Sequence, residues 1–313
     1  MINKLYHLIV RLLPFKTIWL KIFAPLPIQL KTNYFFRFIS NIATYCHQQT
    51  YVTSNLGITN KLKVKVSIAH PIAAFGTPAM YSQETATLAL CSALLKHSDA
   101  FIDVGANLGY FCFYVDEHNE QQKPIHYFEP DTELFQLLEE NNVKNGKHFI
   151  AHQQVISNID GPVTFYRNLS DDSSGSIKKT FEGKHQLVPI TMDSIRFDSF
   201  ASAIQEQKLL LKVDVEGAEF EFLAGAEKQF QKIEHLIIEL LQDSINQQFP
   251  QLLIERYGYH AYYINHFQLE HSVNGEYQYV SPYYNWLFSK DAPSILKEKI
   301  NSTAYTIIEN TRF

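Results

Sequence analysis

The stretch FIDVGANLGY, residues 101–110, joins a short apolar strand, a glycine turn and the start of a helix. The strand contains the carboxylate of Asp103, and the turn runs from Gly105 to Gly109. Glycine lets the backbone turn tightly and approach a ligand closely, and the first turn of a helix offers unpaired N–H donors. This stretch therefore predicts a cradle for a nucleotide-like ligand in an α/β fold, with an ordinary buried turn as the alternative.

The spacing of the glycines argues against a dinucleotide. A dinucleotide-binding turn has the pattern GxGxxG and faces a pyrophosphate. Here Gly105 and Gly109 are four residues apart and follow Asp103, a carboxylate that would repel phosphate. S-adenosylmethionine carries an ammonium and a sulfonium but no phosphate, so the turn favours this cofactor. We expect Asp103, Gly105, Asn107 and Gly109 to bind it.

Two later strands also end in acidic residues. The strand in IHYFEP, residues 125–130, ends in Glu129. The strand in LLLKVDVEGAE, residues 209–219, ends in Asp214. Ligands in open α/β sheets lie outside the carboxyl ends of the strands, so these acids should lie near Asp103. Glu129 is placed to accept hydrogen bonds from both ribose hydroxyls.

Strands and helices alternate along this part of the chain, which predicts a largely parallel sheet. The five strands are expected at 100–104, 125–129, 148–156, 209–214 and 235–240, and the helices at 108–117, 131–143, 219–231 and 244–257. The polar loop 169–183 is expected either to be disordered or to face the substrate, and the lysine-rich segment 61–68 to form an edge strand.

Five motifs in this order resemble the FkbM family of S-adenosylmethionine-dependent methyltransferases: DVGANLGYF, FEP, the asparagine pair 141–142, KVDVEGAEFEFLAGAE and IIELL. The resemblance covers roughly residues 84 to 290. It implies a Rossmann-like, seven-stranded, mostly parallel sheet with helices on both faces. It also implies O-methylation, most often of a sugar hydroxyl in a glycan, glycolipid or natural product. The family turn after the third strand approaches the adenine, and Ser157 occupies it here.

The acidic residues after the fourth and fifth strands are the candidates for catalysis. A sugar hydroxyl is a poor nucleophile at neutral pH, and it needs a general base, a metal ion or both. Asp214 is the first candidate, and Glu239 at the end of the motif IIEL is the second. Together they offer two oxygen ligands for a divalent cation such as Mg²⁺, although two carboxylates do not complete a site. Alternatively, Asp214 and Glu216 cap the following helix.

Charge is distributed unevenly along the 313 residues. Nine of the 27 basic residues precede Glu84, which is the first acidic residue, and the other 18 accompany 32 acidic residues. We therefore divide the chain into a basic, aromatic-rich extension at 1–83, with helices and an edge strand, and a methyltransferase domain at 84–313. Three scattered cysteines indicate a reducing compartment and a cytoplasmic location.

The first 31 residues combine apolar side chains with Lys4, Arg11 and Lys21 at spacings typical of an interfacial helix. No uncharged run is long enough to span a bilayer. We expect residues 1–31 either to touch the inner face of the membrane or to pack on the domain or on a second copy in a homo-oligomer. Sparse basic residues without a recognition motif argue against nucleic acid.

The sequence as a whole predicts an O-methyltransferase that acts on a sugar-containing acceptor. Two alternatives stay open: a methyltransferase for a small natural product or lipid, and a non-catalytic protein that keeps the fold for assembly. Intact acids at Asp103, Glu129 and Asp214 argue against the non-catalytic alternative.

Overall fold

The structure is a computed structural model. It describes residues 51–56, 60–65, 84–169, 175–179, 186–276, 285–301 and 305–311, and the predictions for residues 1–50 lie outside these ranges. The chain divides into two compact units, Met1–Ser82 and Gln83–Phe313. In the first unit, β1 (Tyr51–Leu56) and β2 (Asn60–Lys65) pair antiparallel, which places the predicted lysine-rich strand in a two-stranded sheet.

The second unit alternates strands and helices, as the sequence predicts. Its first half contains α1 (Glu84–Leu95), β3 (Ala100–Val104), α2 (Tyr110–Asp116), β4 (Ile125–Phe128), α3 (Thr132–Lys144), β5 (Ile150–His152), β6 (Val155–Ser157), β7 (Gly161–Asn168) and β8 (Leu187–Arg196). Its second half contains α4 (Phe197–Ala203), β9 (Leu209–Val213), α5 (Glu219–Gly225), a 3-10 helix (Phe230–Lys232), β10 (Ile233–Glu239), α6 (Gln242–Asn246), α7 (Phe249–Tyr257), β11 (His260–Asn265), β12 (Gln268–Ser272), β13 (Asn285–Ser289), α8 (Pro293–Lys299) and β14 (Thr306–Thr311).

The main sheet has the order β14-β12-β11-β13-β10-β9-β3-β4-β5. The five strands from β10 to β5 are parallel, and β13 pairs antiparallel with both β10 and β11. This mostly parallel α/β sheet confirms the predicted fold class. The strand number differs from the expected seven, because β12 and β14 extend the sheet beyond β11.

The adjacent inner strands β3 and β9 are completely buried. All five residues of β3 and all five of β9 are buried, which requires cover on both faces of the sheet. β9 is apolar apart from Lys212. A run of Leu209, Leu210 and Leu211 without alternation is typical of such a strand.

A small second sheet corrects the predicted strand 148–156. This segment divides into β5, at the edge of the main sheet, and β6, which pairs in parallel with β8. β7 and β8 form a long antiparallel hairpin, so the order of the small sheet is β6-β8-β7. The alternation expected for one strand does not reveal that the chain changes sheets between His152 and Val155.

Two predicted helices are shorter than expected. The helix predicted at 219–231 ends as α5 at Gly225, and the one predicted at 244–257 is divided into α6 and α7. The break falls at Gln248, whose φ of 62° is left-handed, and is followed by Pro250 near the start of α7. In the part of the chain that the structure describes, no helix is both long and apolar enough to cross a membrane.

Candidate active site

The glycine turn is pressed against the loop that follows β9. Gly105 has a φ of 79°, and its N–H donates to the carbonyl of Phe128 at 2.9 Å. The Asp214 N–H donates to the Val104 carbonyl at 2.9 Å. A Cβ atom on Gly105 would lie 2.0 Å from the Asp214 carbonyl oxygen. Only glycine therefore fits at position 105.

Glu129 joins the end of β4 to the glycine turn. Its Oε2 accepts a 2.8 Å hydrogen bond from the N–H of Asn107, and its Oε1 accepts one of 2.8 Å from the N–H of Asp131. Burial raises the pKa of Glu129 to about 8, although these two backbone hydrogen bonds lower it. Each oxygen retains a lone pair for a further donor, as the predicted ribose contact requires.

Asp103 lies just before the glycine turn, and Gly109 lies at its end. Asp103 is 2% exposed, and Cys112 Sγ donates to its Oδ2 at 3.3 Å. Burial raises the pKa of Asp103 to about 7, and the nearby ammonium of Lys212 opposes the rise. Gly109 precedes α2 with a φ of 77°, and a Cβ atom there would lie 3.0 Å from Leu138 Cγ. Asp103 is thus almost inaccessible to solvent, and its predicted contact with the cofactor stays a prediction.

Ser157 lies apart from these residues in sequence and in fold. It is a buried residue of β6, in the small sheet, and not part of an exposed turn. Its hydroxyl donates to Asn158 Oδ1 at 3.2 Å, and its carbonyl oxygen would be 2.0 Å from a Cβ atom on Gly225. Its predicted approach to the adenine stays a prediction.

The predicted catalytic acids lie at the carboxyl ends of neighbouring strands. Asp214 follows β9, and Glu239 ends β10. Asp214 Oδ2 is 3.6 Å from Lys212 Nζ, whereas Asp214 Oδ1 is buried without a hydrogen-bond partner among the described residues. Burial, reinforced by the charge of Asp214, raises the pKa of Glu239 to about 8. Asp214 retains the buried free oxygen Oδ1, so it is the candidate proton acceptor of the two.

Two charged residues of this region had no role in the sequence-based prediction. Lys212 is 2% exposed in the middle of β9, and Glu84 begins α1. Asn285 Nδ2 donates to Glu84 Oε1 at 3.3 Å, and Asn285 pairs with Glu239 across β13 and β10. A lysine within an otherwise apolar strand is a signal that sequence analysis could have used. Nothing local marks Glu84.

The loop after Asp214 is organised by other groups than expected. Ala218, which has no side-chain cap, precedes α5, so the N-cap position is held by neither Asp214 nor Glu216. The fully buried Glu219 accepts from the Gly217 N–H at 3.0 Å and from the Ser244 hydroxyl at 2.6 Å. The acidic cluster therefore divides into Glu219, which supports the loop, and Asp214, which faces the site.

Part of the predicted polar loop between β7 and β8 contacts this region. Ser176 forms a bridge with Tyr166 of β7, and its hydroxyl donates to the Val215 carbonyl at 3.0 Å. Lys178 forms an ion pair with Glu221 of α5. The β7–β8 hairpin thus contacts the loop that carries Asp214, and its substrate-facing role stays a prediction.

The metal prediction for Asp214 and Glu239 has no third ligand in the described residues. Among the described residues, three side chains are close enough together to hold a metal ion. They are Glu234, His235 and Asp291, which lie near the amino end of β10, away from Asp214. Lys299 Nζ lies 2.6 Å from Asp291 Oδ2, so a side-chain cation already contacts that group.

The residues around the glycine turn fit S-adenosylmethionine. Asn107 Oδ1 is buried and has no hydrogen-bond partner among the described residues, so it can accept from a bound ligand. Glu129 retains acceptor capacity beside it, and the absence of a Cβ atom on Gly105 lets the turn pack against the Asp214 carbonyl. These acceptors suit ribose hydroxyls and an ammonium group. The fold and the site define an α/β protein with a nucleoside-type cradle at the carboxyl edge of its sheet.

Comparisons with known proteins agree with this class. The model of the methyltransferase FkbM domain matches residues 103–262, and the chain belongs to the FkbM methyltransferase family. It is an S-adenosylmethionine-dependent methyltransferase.

Two relatives and one solved structure illustrate the similarity. Methyltransferase 1 of Beauveria bassiana is 28% identical over 184 residues, which cover 51% of this chain and 72% of that protein. Hexuronic acid methyltransferase AglP of Haloferax volcanii is 27% identical over 146 residues, which cover 46% of this chain and 57% of AglP. The precorrin-6y C5,15-methyltransferase of Geobacter metallireducens GS-15 superposes with a TM-score of 0.39 at 10% identity, over 67% of this chain and 89% of that one.

Proposed function

We propose that this methyltransferase acts on a hydroxyl group of a sugar-containing acceptor, with Asp214 as the general base. The proposal rests on the surroundings of the two Asp214 carboxylate oxygens. One oxygen lies 3.6 Å from an ammonium, and the other, Oδ1, has no donor among the described residues. A carboxylate with a free acceptor atom at the ligand-binding edge of the sheet can orient a hydroxyl and take its proton.

When bound, S-adenosylmethionine supplies a methyl group on a sulfonium that leaves as a neutral thioether, so the activation belongs to the cofactor. The chain must bind the cofactor, orient the acceptor oxygen and remove its proton. We assign the first task to Asn107, Glu129 and the glycine turn, and the other two to Asp214. Glu239, whose pKa burial raises, ends the neighbouring strand β10.

The choice of a sugar rests on two supports. The relative AglP is a hexuronic acid methyltransferase by name. In addition, the β7–β8 hairpin reaches the 214 loop through Ser176 and can supply a polar wall for a hydroxyl-rich acceptor. A small natural product or a lipid is the alternative acceptor, and an assembly role without catalysis is the alternative function.

The test is an acceptor screen with the full chain and isotopically labelled S-adenosylmethionine. Neutral hexosides, uronic acid glycosides, lipid-linked sugars and non-sugar alcohols would be compared by mass spectrometry. We expect labelled methyl ethers on sugars, and a loss of about 100-fold or more in kcat for Asp214→Asn. The matched control Asp193→Asn changes an exposed aspartate of β8 and should keep the wild-type rate. Methylation of non-sugar alcohols alone would refute the sugar, and turnover by Asp214→Asn at the wild-type rate would refute the base.

We also propose that residues 1–31 bring the enzyme to an anionic membrane surface, where a lipid-linked acceptor would be found. The support is the sequence pattern of basic and apolar residues in this segment. Co-sedimentation with anionic liposomes should depend on residues 1–31. Equal pelleting of the full and shortened chains would contradict it, and a change in oligomeric state alone would favour a contact between copies.

A further inference from the structure

Lys212 is a buried cation at the centre of the main sheet. It is 2% exposed, and its strand, β9, pairs with β3 on one side and with β10 on the other. Transfer of an ammonium group from water into such a place is costly unless opposite charges compensate for it. The side chains that surround Lys212 therefore have to supply negative charge.

Strand register places three of the compensating carboxylates on the same face. Asp103 is the partner of Lys212 across β3 and β9, and Asp214 lies two residues further along the chain. Ile237 is the partner of Lys212 across β10 and β9, so Glu239 also projects to this face. Asp214 Oδ2 is 3.6 Å from Lys212 Nζ.

Glu84 is the fourth carboxylate, and it belongs to helix α1. Burial lowers the pKa of Lys212, but the charges of Asp214, Glu84, Glu239 and Asp103 outweigh this effect and raise it. The Nζ atom also lies 5.2 Å from the ring centroid of Phe111, within the range of a cation–π contact. The neighbouring acidic side chains and the Phe111 ring thus favour the ammonium form of Lys212.

The same cluster retains unused acceptor atoms. Asp214 Oδ1 and Glu84 Oε2 are buried and have no hydrogen-bond partner among the described residues. Clustered carboxylates with free oxygen atoms are the usual ligands of a divalent metal ion. In this cluster the positive charge comes instead from Lys212.

We propose that Lys212 is the resident cation of this carboxylate cluster and a positioning residue for methyl transfer, where it takes the place of a divalent metal ion. It acts through Asp214, whose carboxylate it orients towards the acceptor. The proposal rests on the proposed role of Asp214 as the base. Its consequence is that the protein works without added metal, because the positive charge is built into β9.

The first measurement needs no acceptor. Mn²⁺ binding, followed by electron paramagnetic resonance, would be compared in the full-length wild type, in Lys212→Met and in the double variant Lys212→Met/Glu84→Gln. The double variant restores the charge balance and guards against a fold lost through uncompensated carboxylates. We expect no Mn²⁺ site in the wild type and at least about tenfold tighter Mn²⁺ binding once Lys212 is removed.

The second measurement separates positioning from folding. S-adenosylhomocysteine affinity should stay within about threefold in both variants, while kcat falls by about 100-fold, the lower end of what a placed general base contributes. Lys232→Met is the matched control. It removes another buried lysine, which precedes β10 at the end opposite Glu239 and whose Nζ donates to the carbonyls of Ala201 at 2.6 Å and Ile204 at 3.0 Å. This control should keep the wild-type kcat.

Two results would overturn the proposal. The first is Mn²⁺ binding that is the same in the wild type and in the Lys212 variants, whether tight or absent. The second is a wild-type kcat in a variant that lacks Lys212. A failure of the proposed acceptor would leave all proteins inactive in the screen. The Mn²⁺ comparison would still decide the role of Lys212, so the two failures are distinguishable.

Discussion

The backbone N–H of Asn107 donates a 2.8 Å hydrogen bond to Glu129 Oε2, and this contact ties the glycine turn to the end of β4. Asn107 adopts a φ of 51°, which only a few non-glycine residues accept. The hydrogen bond holds the backbone in that conformation and leaves the Asn107 side chain directed to a buried position without a partner among the described residues. The cofactor cradle therefore depends on Glu129 for its shape as well as for its chemistry.

Glu129→Gln should weaken S-adenosylhomocysteine binding by about tenfold or more. Glutamine can accept from one of the two N–H donors, of Asn107 and Asp131, but its own NH₂ group then faces the other, at a cost of about 1 to 3 kcal/mol. Calorimetric titration measures the change. Glu140→Gln, an exposed substitution on α3, is the control. Unchanged affinity in Glu129→Gln would show that the contact does not shape the cradle.

Gly105→Ala should destabilise the protein by several kcal/mol more than Gly146→Ala. Both glycines have a positive φ, so both substitutions carry a backbone cost of about 1 kcal/mol. Only at Gly105 would the new methyl group meet a backbone atom, the Asp214 carbonyl oxygen, whereas nothing lies within 4 Å at Gly146. Urea unfolding of the two variants isolates the steric term. Equal losses would mean that the 214 loop moves away at little cost.

Ser176→Ala should slow methyl transfer by about fivefold without a change in S-adenosylhomocysteine affinity. The lost hydrogen bond to the Val215 carbonyl, of about 1 kcal/mol, anchors the β7–β8 hairpin to the loop that carries Asp214. Steady-state kinetics with the acceptor measures the rate of methyl transfer, and calorimetric titration measures the affinity for S-adenosylhomocysteine. Ser202→Ala removes an exposed hydroxyl of α4 and should have no effect on either quantity. A matching decline in cofactor affinity would instead indicate a general structural role.

The free energy of unfolding should fall by about 2 to 3 kcal/mol between about pH 6.5 and 8 in the absence of ligand. Burial raises the pKa of Glu129 and Glu239 to about 8 and that of Asp103 to about 7. The folded protein therefore binds more protons than the unfolded chain in this window, and its stability decreases as the pH rises. Buried histidines with a lowered pKa, such as His152 at about 4, oppose this decline by about 0.4 kcal/mol each, because an unfolded histidine still binds protons at the lower end of the window.

Urea unfolding at the two pH values measures this decline, and Glu239→Gln provides the check. Glutamine cannot ionise, so the variant should lose part of the pH dependence, while Glu140→Gln on the surface should keep all of it. A stability that rises over the same window, in the wild type, would contradict the assignment of buried, protonated acids.

Much of the fold was predictable because its signals are local. The apolar runs of β3, β4 and β9, the glycine turn and the acids at the strand ends lie within short segments, and the structure places all of them as expected. The less accurate predictions concern the segment 148–156, which changes sheets, and the two helices that end early. The segment 148–156 changes sheets because β6 pairs with β8, which is distant in sequence. The break between α6 and α7 is local, because it falls at the left-handed Gln248 and at Pro250.

The sequence by itself determined the α/β class, the glycine cradle and the acids that face one edge of the sheet, because strand periodicity and glycine spacing are encoded residue by residue. Only the tertiary structure decided that Lys212 lies among four carboxylates and that Glu84, from a helix outside the motifs, is one of them. It also decided that Gly105 must be glycine because the Asp214 carbonyl occupies the space beside it. These relationships depend on strand register and on helix packing, which join residues that no local pattern connects.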